Sequence, residues 1–175
     1  MRCRNRFTLL LAAGLVSIGC SGSMAWSQSH ELECPPMGVI VNVPEGWKAG
    51  DPKDVHPTAV WENGAAKLVL LYYHKQWLYE VMNPEKVAAN FLPALNDARI
   101  AESEQAVINT LVGAKASGTG TLHGKPVQFK CVIVGPPEEK PDTLVVIVVA
   151  SEGAMKQQSK QIASALDSVR AKDAK

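Results

Sequence analysis

Excess basic charge, long apolar runs and clustered histidines are all missing from this chain of 175 residues. Its 18 Lys and Arg nearly balance 17 Asp and Glu, which excludes the basic footprint of a nucleic-acid binder. Past the first 18 residues, no segment is both long and uncharged enough for a membrane-spanning helix, which needs about 20 apolar residues. The four histidines, His30, His56, His74 and His123, include no pair at i, i+4 spacing, so local sequence offers no helical metal site. No Gly-x-Ser-x-Gly elbow occurs, and neither Cys34 nor Cys131 stands beside a histidine. No nucleophile motif therefore signals catalysis. Gly118-Thr119-Gly120 leads from one strand towards another. A phosphate cradle needs a helix N-terminus behind it, so these glycines read as strand bends or close packing.

What is present reads as one globular domain behind a leader, with 46% hydrophobic and 20% charged residues. Arg2, Arg4 and Arg6 precede a short apolar stretch, residues 7–18, and then a run of small residues. That is the pattern of a secretory signal peptide. Cleavage after Ala25 or Ser27 gives a soluble product; cleavage before Cys20 gives a lipoprotein with Cys20 carrying the lipid. The expected organisation is a signal peptide over 1–27, a short segment over 28–37, a domain over 38–170 and a tail over 171–175. Without its three leader arginines the chain carries 15 basic against 17 acidic residues, a net charge of −2. Cleavage after Ser27 leaves Cys34 and Cys131, an even pair that in an exported chain is a candidate disulfide. The alternative is that Cys131 is a small core residue and Cys34 a free thiol. The same cut would place the new amine, two amides and His30 where they can wrap Cu(II) or Ni(II) in a square plane.

Residues 38–43 are apolar and β-branched and end at Pro44-Glu45-Gly46-Trp47, giving a first strand and a turn. Residues 59–61 make a second strand, and Asn63-Gly64 a hairpin turn. The third strand, 67–74, is apolar on both alternations, so both faces of the sheet should be covered there. Asn83 and Pro84 open a predicted helix with Val87, Phe91 and Leu95 on one stripe, interrupted by Pro93. Four strands follow, over 101–111, 114–122, 126–134 and 143–151. A final helix over 154–169 sets Met155, Ile162, Leu166 and Val169 on one side. The predicted order is β-β-β-α-β-β-β-β-α, without repeats or linkers.

The stretch GVIVNVPEGW, the short strand ending at Trp61, one helix, a strand meander and a closing helix ending IASALDSVR together resemble the PsbP-like superfamily. The resemblance implies an α/β/α sandwich around a mainly antiparallel sheet, and binding or assembly without catalysis. It supplies no catalytic residues and no cofactor. The sequence therefore points to an exported, non-enzymatic binding or assembly module of the cell envelope, periplasmic or extracellular, that takes an envelope protein or small ligand. A lipid-anchored structural protein is the alternative, and a hydrolase is less favoured still. Aromatic-rich residues 76–82, with Trp77, Tyr79 and Met82, are a candidate partner or ligand patch, because such side chains are enriched at interfaces; packing under the first helix is the reading favoured over it. Asp51, Asp54 and His56 read as a solvated Pro-rich loop. His74 reads as a satisfied, partly buried histidine, and Glu102 and Glu104 as the solvent face of an edge strand.

Overall fold

The computed structural model describes residues 30–50, 59–74, 95–136 and 142–172. In chain order the elements are β1 (His30–Cys34), β2 (Val39–Val43), β3 (Lys48–Ala49), β4 (Ala59–Asn63), β5 (Ala66–Tyr73), β6 (Leu95–Ile108), β7 (Leu111–Leu122), β8 (Lys125–Val134), β9 (Thr143–Ala150), α1 (Glu152–Gln157), α2 (Ser159–Asp167) and β10 (Arg170–Ala171). Seven strands form one sheet in the order β3-β4-β5-β9-β8-β7-β6, and β1-β2-β10 form a smaller one. Every neighbouring pair is antiparallel. The result is a mixed α+β fold, mostly antiparallel sheet with two helices among the described residues.

Strand β9 lies between β5 and β8, and all eight of its residues are buried. Alternate strand side chains point to opposite faces, so its uninterrupted apolar run feeds two cores. Leu144, Val146 and Val148 join the core shared with α1, α2 and the smaller sheet. Val145, Ile147 and Val149 join the opposite one, with Leu71 and Phe129. Burial on both faces matches the reading of 67–74. Each fully buried Val, Leu or Ile contributes roughly 1.5–3 kcal/mol, so β9 is where the fold gains most per residue.

The expected Pro44–Trp47 turn is present and has a specific role. Trp47 N donates to Pro44 O at 3.3 Å, and Gly46 sits at φ +78°. A type II turn needs positive φ at its third residue, which glycine accepts without steric cost. The turn sends Trp47, 4% exposed, into the core beside the helices. Its indole Nε1 donates to Gln161 Oε1 in α2 at 3.5 Å.

Several expectations shift. Leu95 is not the end of a helical stripe; it is the first residue of β6. The following hairpin turns at Asn109-Thr110, not at 112–113, because asparagine tolerates the positive φ needed there and Gly113 is wanted inside β7. A Cβ on Gly113 would collide with Ile133 O. The closing helix is broken into α1 and α2 at Gln158, whose Nε2 donates to Asn63 O in the β4–β5 hairpin at 3.1 Å. Ser151 caps α1 by accepting from Ala154 N. The residues 83–94 of the predicted first helix lie outside the described residues.

Chain ends of the described region are tied together through the smaller sheet. Arg170 Nη2 meets Glu31 Oε1 at 2.6 Å and Lys172 Nζ meets Glu33 Oε1 at 2.8 Å. Lys172 N also donates to Gly38 O.

Candidate functional site

On the helix-bearing side, α2 stops short of the far edge of the large sheet and leaves an open groove of about 750 Å³ over β6, β7 and β8. Strand register explains which side chains meet there. Glu104 faces Lys115, which faces Val132; Glu102 faces Ser117, which faces Lys130. These two cross-strand rows share one face, because residues two apart along a strand do so. Ala163, Leu166 and Asp167 of α2 form the wall opposite.

The groove is therefore lined by charges of both signs. Lys115 Nζ meets Asp167 Oδ1 at 3.0 Å, and Ser117 Oγ donates to Glu102 Oε2 at 3.4 Å. Glu104 and Lys130 are exposed and make no ion pair among the described residues. Buried small-molecule sites are mostly apolar with a few placed polar groups. This groove is open and mixes charged side chains with apolar ones such as Val132, Ala163 and Leu166, a shape and chemistry suited to a segment of polypeptide. Its outer margin is β6, the terminal strand of the sheet, exposed over residues 101–105. Reading Glu102 and Glu104 as the solvent face of an edge strand agrees with this placement. Lys115, Lys130 and Asp167 gave no signal in sequence, since only register and the α2 position bring them together.

The hairpin linking β6 to β7 is held rigidly. Asn109 Nδ2 donates to Asp167 O at 2.7 Å and to Val169 O at 2.9 Å, satisfying carbonyls that a helix C-terminus leaves without partners. Beside it Val107 and Val112 pair across the strands and are 75% and 66% exposed. They are the exposed large hydrophobics among the described residues.

A second polar cluster lies on the far side of β9 from the groove, where β5 ends and β9 begins. His74 Nδ1 is 3.0 Å from Asp142 Oδ1 and 3.3 Å from Tyr72 Oη. Asp142 is buried, while the His74 side chain is 64% exposed, so His74 is satisfied but more open than expected. Burial raises the Tyr72 phenol above its usual value, with the Asp142 charge and hydrogen bond adding to it. Burial also raises the Cys34 thiol, opposed by a Met37 backbone hydrogen bond and reinforced by the Asp142 charge. A reactive cysteine needs its thiolate stabilised; this one is held protonated.

Of the two readings of the cysteine pair, the structure has the free thiols and not the candidate Cys34–Cys131 disulfide: both are unpaired and buried. The reason is topological. Cys34 belongs to the core under the helices, and Cys131 to the core on the opposite face of the sheet. Burial pushes the Cys131 thiol up to about 12. Gly118 and Gly120 serve close packing, as read: a Cβ at Gly118 would lie 2.7 Å from Phe129 Cζ, and one at Gly120 would lie 2.9 Å from Leu95 Cγ. His30 opens β1 opposite Val43. Its proposed copper partners at Gln28 and Ser29 lie outside the described residues, as do Cys20, Asp51, Asp54, His56, Trp77, Tyr79 and Met82. The described residues hold no group of three His, Cys, Asp or Glu side chains arranged for a metal ion.

The sequence matches no protein-family model and no curated protein. Its fold does have solved counterparts. The solution structure of cyanobacterial PsbP (CyanoP) from Synechocystis sp. PCC 6803 superposes with a TM-score of 0.61, covering 87% of this chain and 97% of that one at 11% identity. LpqN, described as involved in cell envelope biogenesis of Mycobacterium tuberculosis, gives a TM-score of 0.55 over 75% of this chain and 82% of its own, at 13% identity. The Saccharomyces cerevisiae Ran-binding protein Mog1p gives 0.50 over 84% and 97%, at 10% identity. At such identities the likeness is one of fold.

Proposed function

We propose that this chain, whose fold is that of PsbP-like proteins, is a non-catalytic binding or assembly module of the cell envelope that engages a protein partner through the groove over β6, β7 and β8. The observation that carries this reading is the groove itself, open, charged with both signs and bordered by an exposed edge strand. Fold alone does not license function, but three solved proteins of this shape include one described as Ran-binding and one described as involved in envelope biogenesis. Export is supported by the Arg-rich, apolar leader over 1–27. No helix among the described residues is long and apolar enough to cross a membrane. A lipid on Cys20 would tether the module; the free domain and the tethered one present the same groove. Trp77, Tyr79 and Met82 are proposed as a second contact patch.

The chemistry of the cysteines supports binding over catalysis. Cys34 and Cys131 are buried and held as thiols by desolvation, the opposite of an activated nucleophile.

The test is photo-crosslinking in envelope extracts with the probe at Ser117, comparing the native groove with Glu104→Lys/Lys130→Glu. A partner captured by the native protein and lost from the double variant, with circular dichroism unchanged, supports the reading. Capture that is indifferent to both charges refutes it. A Trp77→Ala/Tyr79→Ala variant asks the same of the second patch, and intact mass of the native protein reports acylation at Cys20.

A further inference from the structure

We infer that β6 accepts an extended segment of the partner as an added strand, one whose side chains alternate basic and aliphatic. This rests on the reading of the groove as a partner-binding surface, and specifies its occupant. Among the described residues β6 has a neighbour on one side only, β7. Register shifts between Asn96 and Arg99 and between Ile100 and Glu102 interrupt its first half. From Glu102 to Ile108 the register with β7 runs without a break. That stretch presents a regular free edge about as long as an average strand.

Natural edges are commonly blunted by shortness, charged side chains (lysine above all), proline or bulges. From Glu102 to Ile108 there is no lysine, proline or bulge. What it carries instead is a chemical code. Glu102 and Glu104 point to the groove, and Ser103, Gln105 and Val107 to the other face, since strand side chains alternate. A strand laid alongside continues the same alternation, taking its affinity from main-chain hydrogen bonds and its specificity from alternate side chains.

On the groove face the incoming side chains meet carboxylates. Lys115, the cross-strand neighbour of Glu104, is turned to Asp167, so Glu104 is left to pair with a basic group from outside. On the other face they meet Ser103 and Gln105 and then, at the hairpin end, Val107 with Val112 behind it, both exposed; an aliphatic side chain at that end buries apolar surface. The same glutamates act against a second copy of β6. Antiparallel self-pairing over this stretch sets carboxylates of the two copies opposite or diagonal to one another, which is unfavourable.

The probe is an N-acetylated, C-amidated peptide of about nine residues alternating lysine and valine, titrated into the whole mature protein and followed by amide chemical shifts. Saturable binding with shifts confined to β6 and the groove is expected. A peptide alternating glutamate and valine should bind about tenfold more weakly, and Glu102→Lys/Glu104→Lys should invert that preference. N-methylation of alternate peptide residues should abolish binding on one edge of the peptide and not on the other. Binding indifferent to N-methylation on both edges, shifts elsewhere, or self-association through β6 in place of peptide binding would each overturn strand addition. Where the crosslinked partner is captured at the groove but neither peptide binds, strand addition fails and the groove reading stands; where both fail, both are wrong.

Discussion

The turn at Asn109-Thr110 offers the sharpest test of how this structure is held. Both central residues of this two-residue hairpin loop lie at positive φ, +44° for Asn109 and +76° for Thr110. Such loops favour Asn-Gly, and a β-branched residue there is a steric outlier. The left-handed region costs an L-residue about 1–2 kcal/mol. Thr110 is exposed, so replacing it removes no core contact. Thr110→Gly relieves the strain and returns about 0.5–1 kcal/mol through the greater freedom of glycine in the unfolded chain. The net expected gain is about 0.5–1 kcal/mol, a rise of about 2–5 °C in Tm for a domain of this size. Asn109→Ala runs the other way: it keeps the strain and loses both hydrogen bonds to the end of α2, for a loss of about 2 kcal/mol. Urea unfolding followed by tryptophan fluorescence measures both, with an unchanged m-value as the two-state check. A Thr110→Gly protein less stable than the native one would refute the reasoning, since it would mean the threonine is held by something worth more than its strain.

Gly118→Ala should destabilise by about 2–3 kcal/mol or more, because the added Cβ runs into Arg99 O and comes within 2.7 Å of Phe129 Cζ; a neutral result in urea unfolding would mean β6 and β7 are not packed so closely. Both cysteines should resist a thiol reagent at pH 8 until the protein unfolds, and intact mass should be unchanged by reductant, since Cys34 and Cys131 are buried, unpaired and raised in pKa. Burial pushes the Cys131 thiol up from its ordinary value of 9.0 to about 12, so above pH 9 the unfolded state binds fewer protons and stability falls with rising pH. The loss from this one group approaches about 4 kcal/mol by pH 12, and Cys131→Ala should make that alkaline limb of the stability curve shallower, leaving the part due to the raised Cys34 thiol and Tyr73 phenol, even though the variant starts less stable.

Legibility in the sequence followed from how local each signal is. The strands read over 67–74, 126–134 and 143–151 fall within a residue or so of β5, β8 and β9, because a buried central strand is an apolar run bounded by turn residues. Strand β1, HELEC, was passed over: its alternation rests on Leu32 and Cys34 alone, with exposed Glu31 and Glu33 between. β3 and β10 are two residues each, too short to carry a period. Leu95 fits a helical stripe and a strand start equally well by spacing, and a tertiary contact decided between them: it packs where a Cβ of Gly120 would be. The break at Gln158 likewise depends on a hydrogen bond to a hairpin 95 residues away.

The candidate groove was hidden for the same reason, carried further. Its residues come from β6, β7, β8 and α2, and each was visible in sequence only as an ordinary surface charge. Glu102 and Glu104 could be placed on one face by their spacing, but nothing local says that Lys115 and Lys130 complete their rows, since pairing depends on register. Register here is set partly by Asn109, which turns the chain three residues earlier than the expected 112–113 and pins that turn to the end of α2. A turn three residues later would shift the β6–β7 pairing by six, an even number, and so leave every side chain on the same face of its strand because the side-chain period is two, yet it would slide Glu104 past Lys115 and open a different groove. The fold is therefore robust to the detail that sequence reading misses, while the site is not. That is the physical reason a chain can announce its architecture through GVIVNVPEGW and its apolar strands while keeping its binding surface unreadable until the hairpins are in register.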